Sequence, residues 1–451
     1  IEKAKKGVET LDLPESFKND ALERLKVWLV EDMYAPYVPQ IDHLIASGQW
    51  EFLLDSFYQV IPFGTGGRRG LVGVGPNRIN PWTIQASAQG HSQYLIKALG
   101  PSAKQRGLVL AYDVRQFTDT GRYDPDQPNP VKNLDCRQLA EAAARVYTAN
   151  GLKVYLFDST RSTPELSFAI RHLKAVSGCM FSASHNLPTD NGKKVYDQFG
   201  GQLIPPHDQD LVDEVTQQVS TIHSMDLEAA EEKGLLVTIG REVDDAYHAA
   251  VAHLQLSDAR GVNILYSPLH GTGLTSVYPV LNTLGFDIHL DPATANLSGA
   301  FENVTFNIPN PEVIQSFDTA LPNADAIGAD VIMSTDPDAD RIGIMVRHSG
   351  EWKFLNGNEI GIVLAEYAIE QYRKQGRLTN NNVIIKTEVT SSLIDTIAGE
   401  NGIQCIGDLL VGFKYIGERM NRLEAEDRQG DFILGTEESH GFLMGNYARD
   451  K

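Results

Sequence analysis

The sequence predicts an α/β protein with three successive α/β domains, each a mixed sheet covered by helices, and an N-terminal helical extension. Short apolar runs typical of strands alternate with longer stretches that have helical periodicity. Most of these runs are followed by Gly, Pro, Ser or Asp and then by a helical pattern, as in α/β folds. At 451 residues, the chain is long enough for several domains.

The extension is predicted over residues 1–58, because Asn19–Val30 alternates apolar and charged residues at helical spacing. We predict a linker at the acidic stretch Asp226–Lys233 and a hairpin or joint at Arg347–Trp352. The resulting α/β domains are 59–230, 231–350 and 351–451. The predicted strands are Leu108–Tyr112, Val154–Phe157, Val262–Tyr266, Ala329–Met333, Val383–Ile385 and Phe432–Leu434.

The charge balance and the cysteine content exclude several classes of protein. The chain has 39 Lys and Arg against 59 Asp and Glu, a formal net charge of −20, which argues against a general nucleic-acid binder. Cys136, Cys179 and Cys405 are odd in number and far apart, which fits a reducing cytosol better than a disulfide framework. No apolar run approaches the roughly 18 residues of a membrane span, and no secretory signal is visible. We therefore expect a soluble, cytoplasmic protein that binds neither nucleic acid nor membranes.

A glycine-rich segment, Phe63–Gly70 (FGTGGRRG), is the first candidate for a chemical role. Its four glycines and Thr65 let the backbone approach an anion, and Arg68 and Arg69 add positive charge. Its spacing matches neither the dinucleotide motif nor the Walker motif. The segment is either a phosphate-binding loop or a plain tight turn.

A second segment, Ser182–Asn186 (SASHN), follows an apolar run. Ser184 could be a nucleophile, with His185 adjacent and Lys194 ten residues further on. Adjacent residues of a strand point to opposite faces, so His185 need not be the base of Ser184. The alternative is an ordinary turn rich in Ser and Asn.

The third segment, DPDADR, directly follows a predicted strand. Asp336, Asp338 and Asp340 recur at every second position, so an extended or looped backbone places the three carboxylates toward one side. Such close like charges repel unless a cation lies among them, and Mg²⁺ prefers oxygen ligands. An EF-hand is a poor alternative, because its sixth position would be Arg341 and its twelfth Arg347. A solvated acidic turn is the other alternative.

The fourth segment, Gly435–Gly441 (GTEESHG), also follows a predicted strand. Glu437, Glu438, Ser439 and His440 offer several hydrogen-bonding groups, as a polyhydroxylated ligand requires. A solvated polar loop is the alternative. Taken together, the four segments supply a serine nucleophile, a metal site, an anion loop and a sugar-like contact loop, which is the set that phosphoryl transfer needs.

Seven motifs carry a resemblance to a known family. They are FGTGGRRG, NRINPWTI (Asn77–Ile84), TPELSFAIR (Thr163–Arg171), SASHN, DPDADR, VGFKYIGERM (Val411–Met420) and GTEESHG. In these motifs, and from about Phe63 to Lys451, the chain resembles the α-D-phosphohexomutase family of phosphoglucomutases and phosphomannomutases. It looks most similar to the subgroup with an extended helical N-terminus, which includes phosphopentomutase-like enzymes.

The resemblance implies that Ser184 is phosphorylated in the active enzyme. It also implies one Mg²⁺, held by Asp336, Asp338, Asp340 and an oxygen of the phosphoserine. The cations that would steady the transferring phosphoryl group are Arg69 and Arg341. The candidates for proton transfer are His185 and Lys194. The side chains that would hold sugar hydroxyls are Glu437 and Ser439. The further ligand-contacting lysines would be Lys386 and Lys451.

The implied function is a phosphosugar mutase that interconverts the 1- and 6-phosphates of glucose and/or mannose. It would work through a phosphoserine enzyme and a sugar bisphosphate, which also serves as primer. Three alternatives remain: a phosphopentomutase acting on ribose 1- and 5-phosphate, a phosphomonoesterase with Asp336 as nucleophile, and a non-catalytic sugar-phosphate-binding protein.

Several positions depart from the pattern of the family. Arg68 stands where an apolar residue is common, Lys193 where an aromatic residue is usual, and Val411 where Thr is common; these changes bear on substrate preference. By this resemblance, we expect the family's fourth, C-terminal domain, with its phosphate-binding loop, to be missing from the chain as given. We therefore expect the chain as given to fold yet to bind sugar phosphates weakly.

Overall fold

The computed structural model describes residues 1–451 apart from 65, 120, 218 and 220. It has three mixed sheets covered by helices and an N-terminal helical layer, so the predicted fold class is confirmed. The six predicted strands are present, and those predicted at Val262–Tyr266 and Ala329–Met333 begin one and two residues later, at Asn263 and Val331. In the described part of the chain, no helix is both long and apolar enough to cross a membrane.

The N-terminal extension packs around one buried tryptophan. Its helices are α1 (Glu2–Glu9), α2 (Glu15–Val30), α3 (Val38–Ala46) and α4 (Trp50–Phe57). The ring centroid of Trp28 lies 4.4 Å from that of Tyr34 and 5.6 Å from that of Phe57. It also lies 5.4 Å from Trp82, at the start of the next helix, so this aromatic cluster attaches the extension to the first α/β domain.

The first sheet is largely parallel and has its antiparallel strands at one edge. Its strands are β1 (Gly67–Leu71), β2 (Leu108–Tyr112), β3 (Val154–Phe157), β4 (Ser177–Phe181), β5 (Asp190–Tyr196) and β6 (Leu236–Ile239). Their order is β1-β5-β4-β2-β3-β6, and β5 runs antiparallel to both of its neighbours. The helices of this region are α5 (Pro81–Leu99), α6 (Pro101–Arg106), α7 (Cys136–Ala149), α8 (Thr163–His172), α9 (His207–Gln217), α10 (Leu227–Glu232) and α11 (Arg241–Ala252).

Two features of this region differ from the sequence-based description. The stretch Asp226–Lys233, predicted as a linker, forms α10, because the side chain of Asp226 caps the helix by accepting from the backbone N–H of Glu228. Strand β6 follows it and pairs with β3, so the first sheet extends beyond the predicted limit at residue 230. We propose a limit after Ile239 instead.

The second sheet is formed by β7 (Asn263–Ser267), β8 (Asp287–Leu290), β9 (Val331–Thr335), β10 (Ile342–His348) and β11 (Glu351–Leu355), with helices α12 (Gly273–Thr283) and α13 (Ala320–Ile327). The strand order is β11-β10-β9-β7-β8; β10 runs antiparallel to both of its neighbours, whereas β9, β7 and β8 are parallel to one another. Arg347 pairs with Trp352, which confirms the predicted hairpin. Because β11 belongs to this sheet, we propose that the second domain ends after Leu355.

The third sheet is formed by β12 (Val383–Thr387), β13 (Gln404–Leu409), β14 (Phe432–Glu437) and β15 (Gly441–Leu443), with helices α14 (Gly357–Lys374), α15 (Leu393–Glu400) and α16 (Phe413–Ala425). The order is β13-β12-β14-β15, with β15 antiparallel to β14. In each sheet, therefore, a strand that is parallel to one neighbour ends in a short loop and returns as an antiparallel strand: β4 to β5, β9 to β10, and β14 to β15. These three loops carry the segments SASHN, DPDADR and GTEESHG.

Candidate active site

The loop after β4 is shaped around the serine that we predict to be the nucleophile. Ser184 has a φ of +51°, which is uncommon for a residue with a side chain. Its backbone N–H donates to Ser182 Oγ at 2.7 Å, and Ser182 Oγ donates to Asp113 Oδ2 at 2.7 Å. Arg115 donates from its guanidinium to the carbonyl of Ser184 at 2.5 Å and to that of Asn186 at 2.8 Å. The loop is thus fixed by a buried acid and a buried arginine.

Asp113 and Arg115 were not predicted as site residues. The available signal was their place directly after β2, because ligand sites of open α/β sheets lie at the carboxyl ends of parallel strands. Burial raises the pKa of Asp113, whereas Arg115 opposes that effect. The guanidinium of Arg115 also lies over the ring of Phe301 from the second domain, 4.9 Å from its centroid. The support of the serine loop therefore extends across the interface of the first two domains.

The loop after β9 brings the acidic triplet to Ser184. Ser184 Oγ donates to Asp336 Oδ2 at 2.6 Å. The other oxygen of Asp336 accepts from the backbone N–H groups of Asp340 and Arg341, each at 3.1 Å. One carboxylate oxygen from each of Asp336, Asp338 and Asp340 lies within 4.8 Å of the other two. The serine and the three acids that the sequence singled out are therefore neighbours in space.

Asp338 and Asp340 each accept hydrogen bonds from the protein at one carboxylate oxygen. Lys194 Nζ donates to Asp338 Oδ2 at 2.6 Å and to Asp340 Oδ2 at 2.9 Å. Thr163 Oγ1 donates to the same oxygen of Asp338 at 2.8 Å. Asp338 Oδ1 and Asp340 Oδ1 are buried and have no hydrogen-bond partner among the described residues. Buried carboxylate oxygens without donors fit a hard cation with oxygen ligands, so this triplet could bind a metal ion.

The pKa values around the triplet reflect this excess of negative charge. Burial raises the pKa of Asp336 well above its usual range, and the charges of Asp340 and Asp338 add to that effect. Burial acts in the same direction on Asp338, but Lys194 outweighs it and holds the pKa of that carboxyl below its usual range. Burial opposes the charged form of Lys194, but Asp338 and Asp340 prevail and raise its pKa well above its ordinary value. Lys194 is thus held as a cation here.

His185 lies next to Ser184 in space as well as in sequence. Its Nδ1 is 3.1 Å from Ser184 Oγ, because the positive φ of Ser184 turns the backbone away from the alternation of a strand. Burial lowers the pKa of His185 to about 3, and the charges of Arg341 and Arg69 contribute. The imidazole is therefore neutral at physiological pH and can accept a proton or a hydrogen bond.

The second half of the glycine-rich segment, Gly67–Gly70, belongs to strand β1. Arg69 pairs with Gly192 of β5 and donates to the carbonyl of Ala183, which places it at the serine loop. Arg68 points to the opposite face, where it is buried and donates to the carbonyl of Thr83 at 2.8 Å. The expectation that both arginines would face an anion is therefore wrong for Arg68, since neighbouring strand residues alternate. Thr65 lies outside the described residues.

A cleft of about 310 Å³ lies where the three loops meet. Predicted site residues from all three domains line it: Arg69, Ser184 and Lys194 from the first, Asp340 and Arg341 from the second, and Glu437, Ser439 and Lys451 from the third. Arg341 forms an ion pair with Glu312 of the second domain. Burial and the charge of Arg69 lower the pKa of Arg341 to about 10, so it stays cationic at neutral pH. Cations and hydroxyl-binding groups thus share one cavity.

The loop after β14 divides its polar side chains between the cleft and the protein. Ser439 Oγ donates to Glu437 Oε1 at 2.8 Å, and Lys451 contacts the same oxygen. Glu438 instead accepts from the hydroxyl of Thr387 at 2.9 Å. His440 Nδ1 lies 3.0 Å from the carbonyl of Ile342 in the second domain.

Lys386 lies outside the lining of the cleft. It is buried, forms an ion pair with Asp395 at 3.1 Å and donates to the carbonyl of Thr390 at 3.1 Å.

Asp450 lines the cleft, although the sequence analysis did not predict it as a site residue. Burial, and then the charge of Asp340, raise the pKa of Asp450 to about 7, which is suitable for proton transfer.

A serine hydroxyl beside a carboxylate triplet, with arginines in the same cleft, is compatible with phosphoryl transfer. Residues 133–221, 245–350 and 356–451 match the family models of phosphoglucomutase/phosphomannomutase alpha/beta/alpha domains I, II and III. The chain is 31% identical over 436 residues to a phosphoglucomutase of Staphylococcus saprophyticus, which covers 95% of this chain and 72% of that protein. It is 30% identical over 441 residues to a Schizosaccharomyces pombe protein named probable phosphoribomutase, which covers 95% of this chain and 70% of that protein.

A solved structure has the same fold. It is that of a phosphoglucomutase/phosphomannomutase family protein from Burkholderia thailandensis, with a TM-score of 0.63 at 16% identity over 86% of this chain and 73% of that one. The chain belongs to the phosphoglucomutase/phosphomannomutase family, the α-D-phosphohexomutases. It is accordingly an isomerase of the intramolecular phosphotransferase type, as the sequence predicted.

Proposed function

We propose that this protein interconverts the 1- and 6-phosphates of a hexose, glucose and/or mannose, through a phosphoserine at position 184 and a sugar bisphosphate. The observation that carries the proposal is the hydrogen bond of 2.6 Å between Ser184 Oγ and Asp336 Oδ2, beside two further aspartates and inside a cleft with sugar-binding groups. The similarity to the Staphylococcus phosphoglucomutase supports the hexose assignment.

The position of the cleft favours the serine over the aspartate as nucleophile. Ser184 lines the cleft, whereas Asp336 is fully buried behind it and its Oδ1 is occupied by two backbone N–H groups. A phosphomonoesterase with Asp336 as nucleophile would need that carboxylate to face the substrate. The geometry therefore supports phosphoryl transfer through Ser184.

The metal in this proposal is one Mg²⁺. Asp336, Asp338 and Asp340 would hold it together with an oxygen of the phosphoserine, because Asp338 Oδ1 and Asp340 Oδ1 accept no hydrogen bond from the described residues, although Arg341 Nε lies 3.8 Å from Asp340 Oδ1. When bound, the ion would neutralise charge on the transferring phosphoryl group. The charge of −20 makes such neutralisation necessary, since a phosphate dianion would otherwise enter a strongly acidic protein.

The proposed transfer has two balanced steps. A sugar hydroxyl attacks phosphoserine 184: the bond from its oxygen to phosphorus forms, the bond from phosphorus to Ser184 Oγ breaks, the hydroxyl proton passes to a base of the cleft, and Ser184 Oγ takes up a proton from the cleft to become a hydroxyl again. The bisphosphate then turns over, and Ser184 Oγ takes the other phosphoryl group by the reverse reaction. Arg69 and Arg341 would bind the oxygens of the phosphoryl group during its transfer. His185, Lys194 and Asp450 are the candidates for the base, of which Lys194 must first lose its proton.

The loop after β14 would hold the sugar in both orientations. Glu437 and Ser439 line the cleft and offer an acceptor and a donor to hydroxyl groups. Lys451 lies in the same cleft, whereas Lys386 would need to break its ion pair with Asp395 before it could contact a ligand.

A phosphopentomutase is the second candidate. It is favoured by the identity of 30% over 441 residues to the protein named probable phosphoribomutase. The two candidates differ in the sugar and not in the phosphoryl chemistry.

We also propose a cytoplasmic location, because Cys136, Cys179 and Cys405 are all free thiols, as is usual in reducing compartments.

A coupled assay of glucose 1-, mannose 1- and ribose 1-phosphate, with Mg²⁺ and a matching bisphosphate primer, tests the substrate. Mass spectrometry of the protein after incubation with the primer locates the covalent phosphate. Ser184→Ala should lower turnover by about a thousandfold or more, whereas Ser257→Ala, outside the cleft, should leave it unchanged. Phosphate on Asp336, or turnover in Ser184→Ala equal to that of the wild type, would contradict the proposal. Turnover of ribose 1-phosphate alone would replace the hexose by the pentose.

A further inference from the structure

Thr163, at the start of α8 in the first domain, forms two hydrogen bonds with the loop after β9 (DPDADR) in the second domain. Its backbone N–H donates to the carbonyl of Asp338 at 2.8 Å, and its hydroxyl donates to Asp338 Oδ2 at 2.8 Å. Thr163 is fully buried, and Asp338 is the partner of both bonds. One residue thus fixes both the backbone position and the carboxylate plane of Asp338.

The consequence lies in the other oxygen of that carboxylate. Thr163 and Lys194 both donate to Oδ2 of Asp338. Oδ1 of Asp338 is buried beside Asp336 and Asp340 and has no hydrogen-bond partner among the described residues. A carboxylate rotates about its Cβ–Cγ bond at little cost unless its oxygens are held. Without the hydroxyl, the flexible ammonium of Lys194 would be the remaining cationic donor to this carboxylate, and it could contact both oxygens.

Thr163 is well suited to this task. Its β-branched side chain is stiff at χ1, so the hydroxyl direction is set by the helix backbone. It is the first residue of a helix of ten residues, where the helix dipole favours a nearby carboxylate. Hydrogen bonds that orient metal ligands commonly change metal affinity by 10- to 100-fold.

We propose that Thr163 is a positioning residue for the metal ligand Asp338, and that it makes cation binding depend on the docking of the first domain against the second. The proposal rests on the metal site of the proposed function. Thr163 would act only through Asp338, so its loss should weaken cation binding more than it weakens the fold.

The chain offers a matched control that contacts the same loop. Thr272 is also buried and also donates twice, with its N–H and its hydroxyl, to the carbonyl of Pro337 at 2.9 Å. It supports the backbone of the loop but touches none of the three carboxylates through these bonds. Thr272→Val and Thr163→Val therefore remove equivalent hydroxyl groups that differ in what they orient.

The experiment measures Mn²⁺ binding to the unphosphorylated protein from the electron paramagnetic resonance signal of free Mn²⁺, without turnover. We expect Thr163→Val to weaken binding at least tenfold, Thr163→Ser to restore it to within about threefold of the wild type, and Thr272→Val to change it less than threefold. Thermal unfolding in EDTA reports the fold: the stabilisation by Mn²⁺ should shrink in Thr163→Val alone.

The outcomes separate the two proposals. Equal Mn²⁺ affinity of Thr163→Val and the wild type would overturn the role of Thr163 and leave the metal site standing. Equal losses in Thr163→Val and Thr272→Val would show general support of the loop and would also overturn it. If the wild type itself bound no Mn²⁺, the metal site of the proposed function would fall, and this role of Thr163 with it.

Discussion

Lys193 is a buried ammonium whose removal should stabilise the protein. It lies on β5 and is fully buried, and its Nζ has no hydrogen-bond partner among the described residues. Its neighbour on one side is the ring of Tyr147, whose centroid is 5.2 Å from Nζ. Burial lowers the pKa of Lys193 from 10.5 to about 8; Arg68 adds to that effect and Cys179 opposes it.

The magnitude follows from the two pKa values. Their difference, 10.5 − 8 = 2.5, corresponds to about 3 kcal/mol of penalty for the charged form in the folded protein. Below pH 8 the lysine is protonated in both states, so the full penalty applies. Between pH 8 and 10.5 the unfolded chain holds a proton that the folded chain does not, so the stability of the wild type rises with pH.

We therefore expect Lys193→Met to raise the free energy of unfolding by about 3 kcal/mol at pH 7 and by less than about 1 kcal/mol at pH 10. Urea denaturation followed by tryptophan fluorescence measures both values. Lys26→Met, at an exposed position of α2, is the control and should change stability by less than about 0.5 kcal/mol. The reasoning would be refuted if Lys193→Met were no more stable than the wild type at pH 7, or if its advantage were as large at pH 10.

Two further outcomes concern the site itself. Lys194→Met should destabilise the metal-free protein by about 3 kcal/mol, because it removes the ammonium that pairs with Asp338 and Asp340. Added Mg²⁺ should then stabilise the variant more than it stabilises the wild type. Equal unfolding curves of the two proteins in EDTA would contradict this. Arg115→Lys should lower turnover about tenfold, because a single ammonium cannot replace the guanidinium hydrogen bonds to the carbonyls of the Ser184 loop. Steady-state kinetics and thermal unfolding of the variant test this. A lower melting temperature with unchanged turnover would show that Arg115 supports the fold and not catalysis.

Much of the site could be predicted because its residues follow apolar strands. The apolar run before SASHN lies in β4, the strands predicted at 329–333 and 432–434 match β9 and β14 to within three residues at each end, and polar clusters directly after such strands indicate ligand sites in α/β folds. Ser184 and the triplet from Asp336 to Asp340 were found in this way. The close approach of the serine to the acids could not be derived from periodicity, because it depends on how two domains dock.

The residues that the sequence did not show are of two kinds. Strand β5 (DNGKKVY) is polar and lacks alternation, although most of it is buried, so its role in presenting Lys194 was hidden. Arg115 and Thr163 act through hydrogen bonds to residues 69 to 175 positions away. Such long-range partners leave no local pattern, and an ordinary Thr at a helix start is common for other reasons.

The three site loops share a backbone feature that explains both their precision and their dependence on one another. Each has a residue with a side chain in the left-handed region at its tip: Ser184 at +51°, Ala339 at +53° and His440 at +62°. Left-handed backbone costs about 1–2 kcal/mol for such residues, so the surrounding structure must over-determine it. Two of these tips are held by contacts to another domain, since Ser184 donates to Asp336 and His440 meets the carbonyl of Ile342, while the third loop is held at Asp338 by Thr163. Because each loop takes a partner from a neighbouring domain, the docking of the three domains adds to the stabilisation of the strained conformations that form the site.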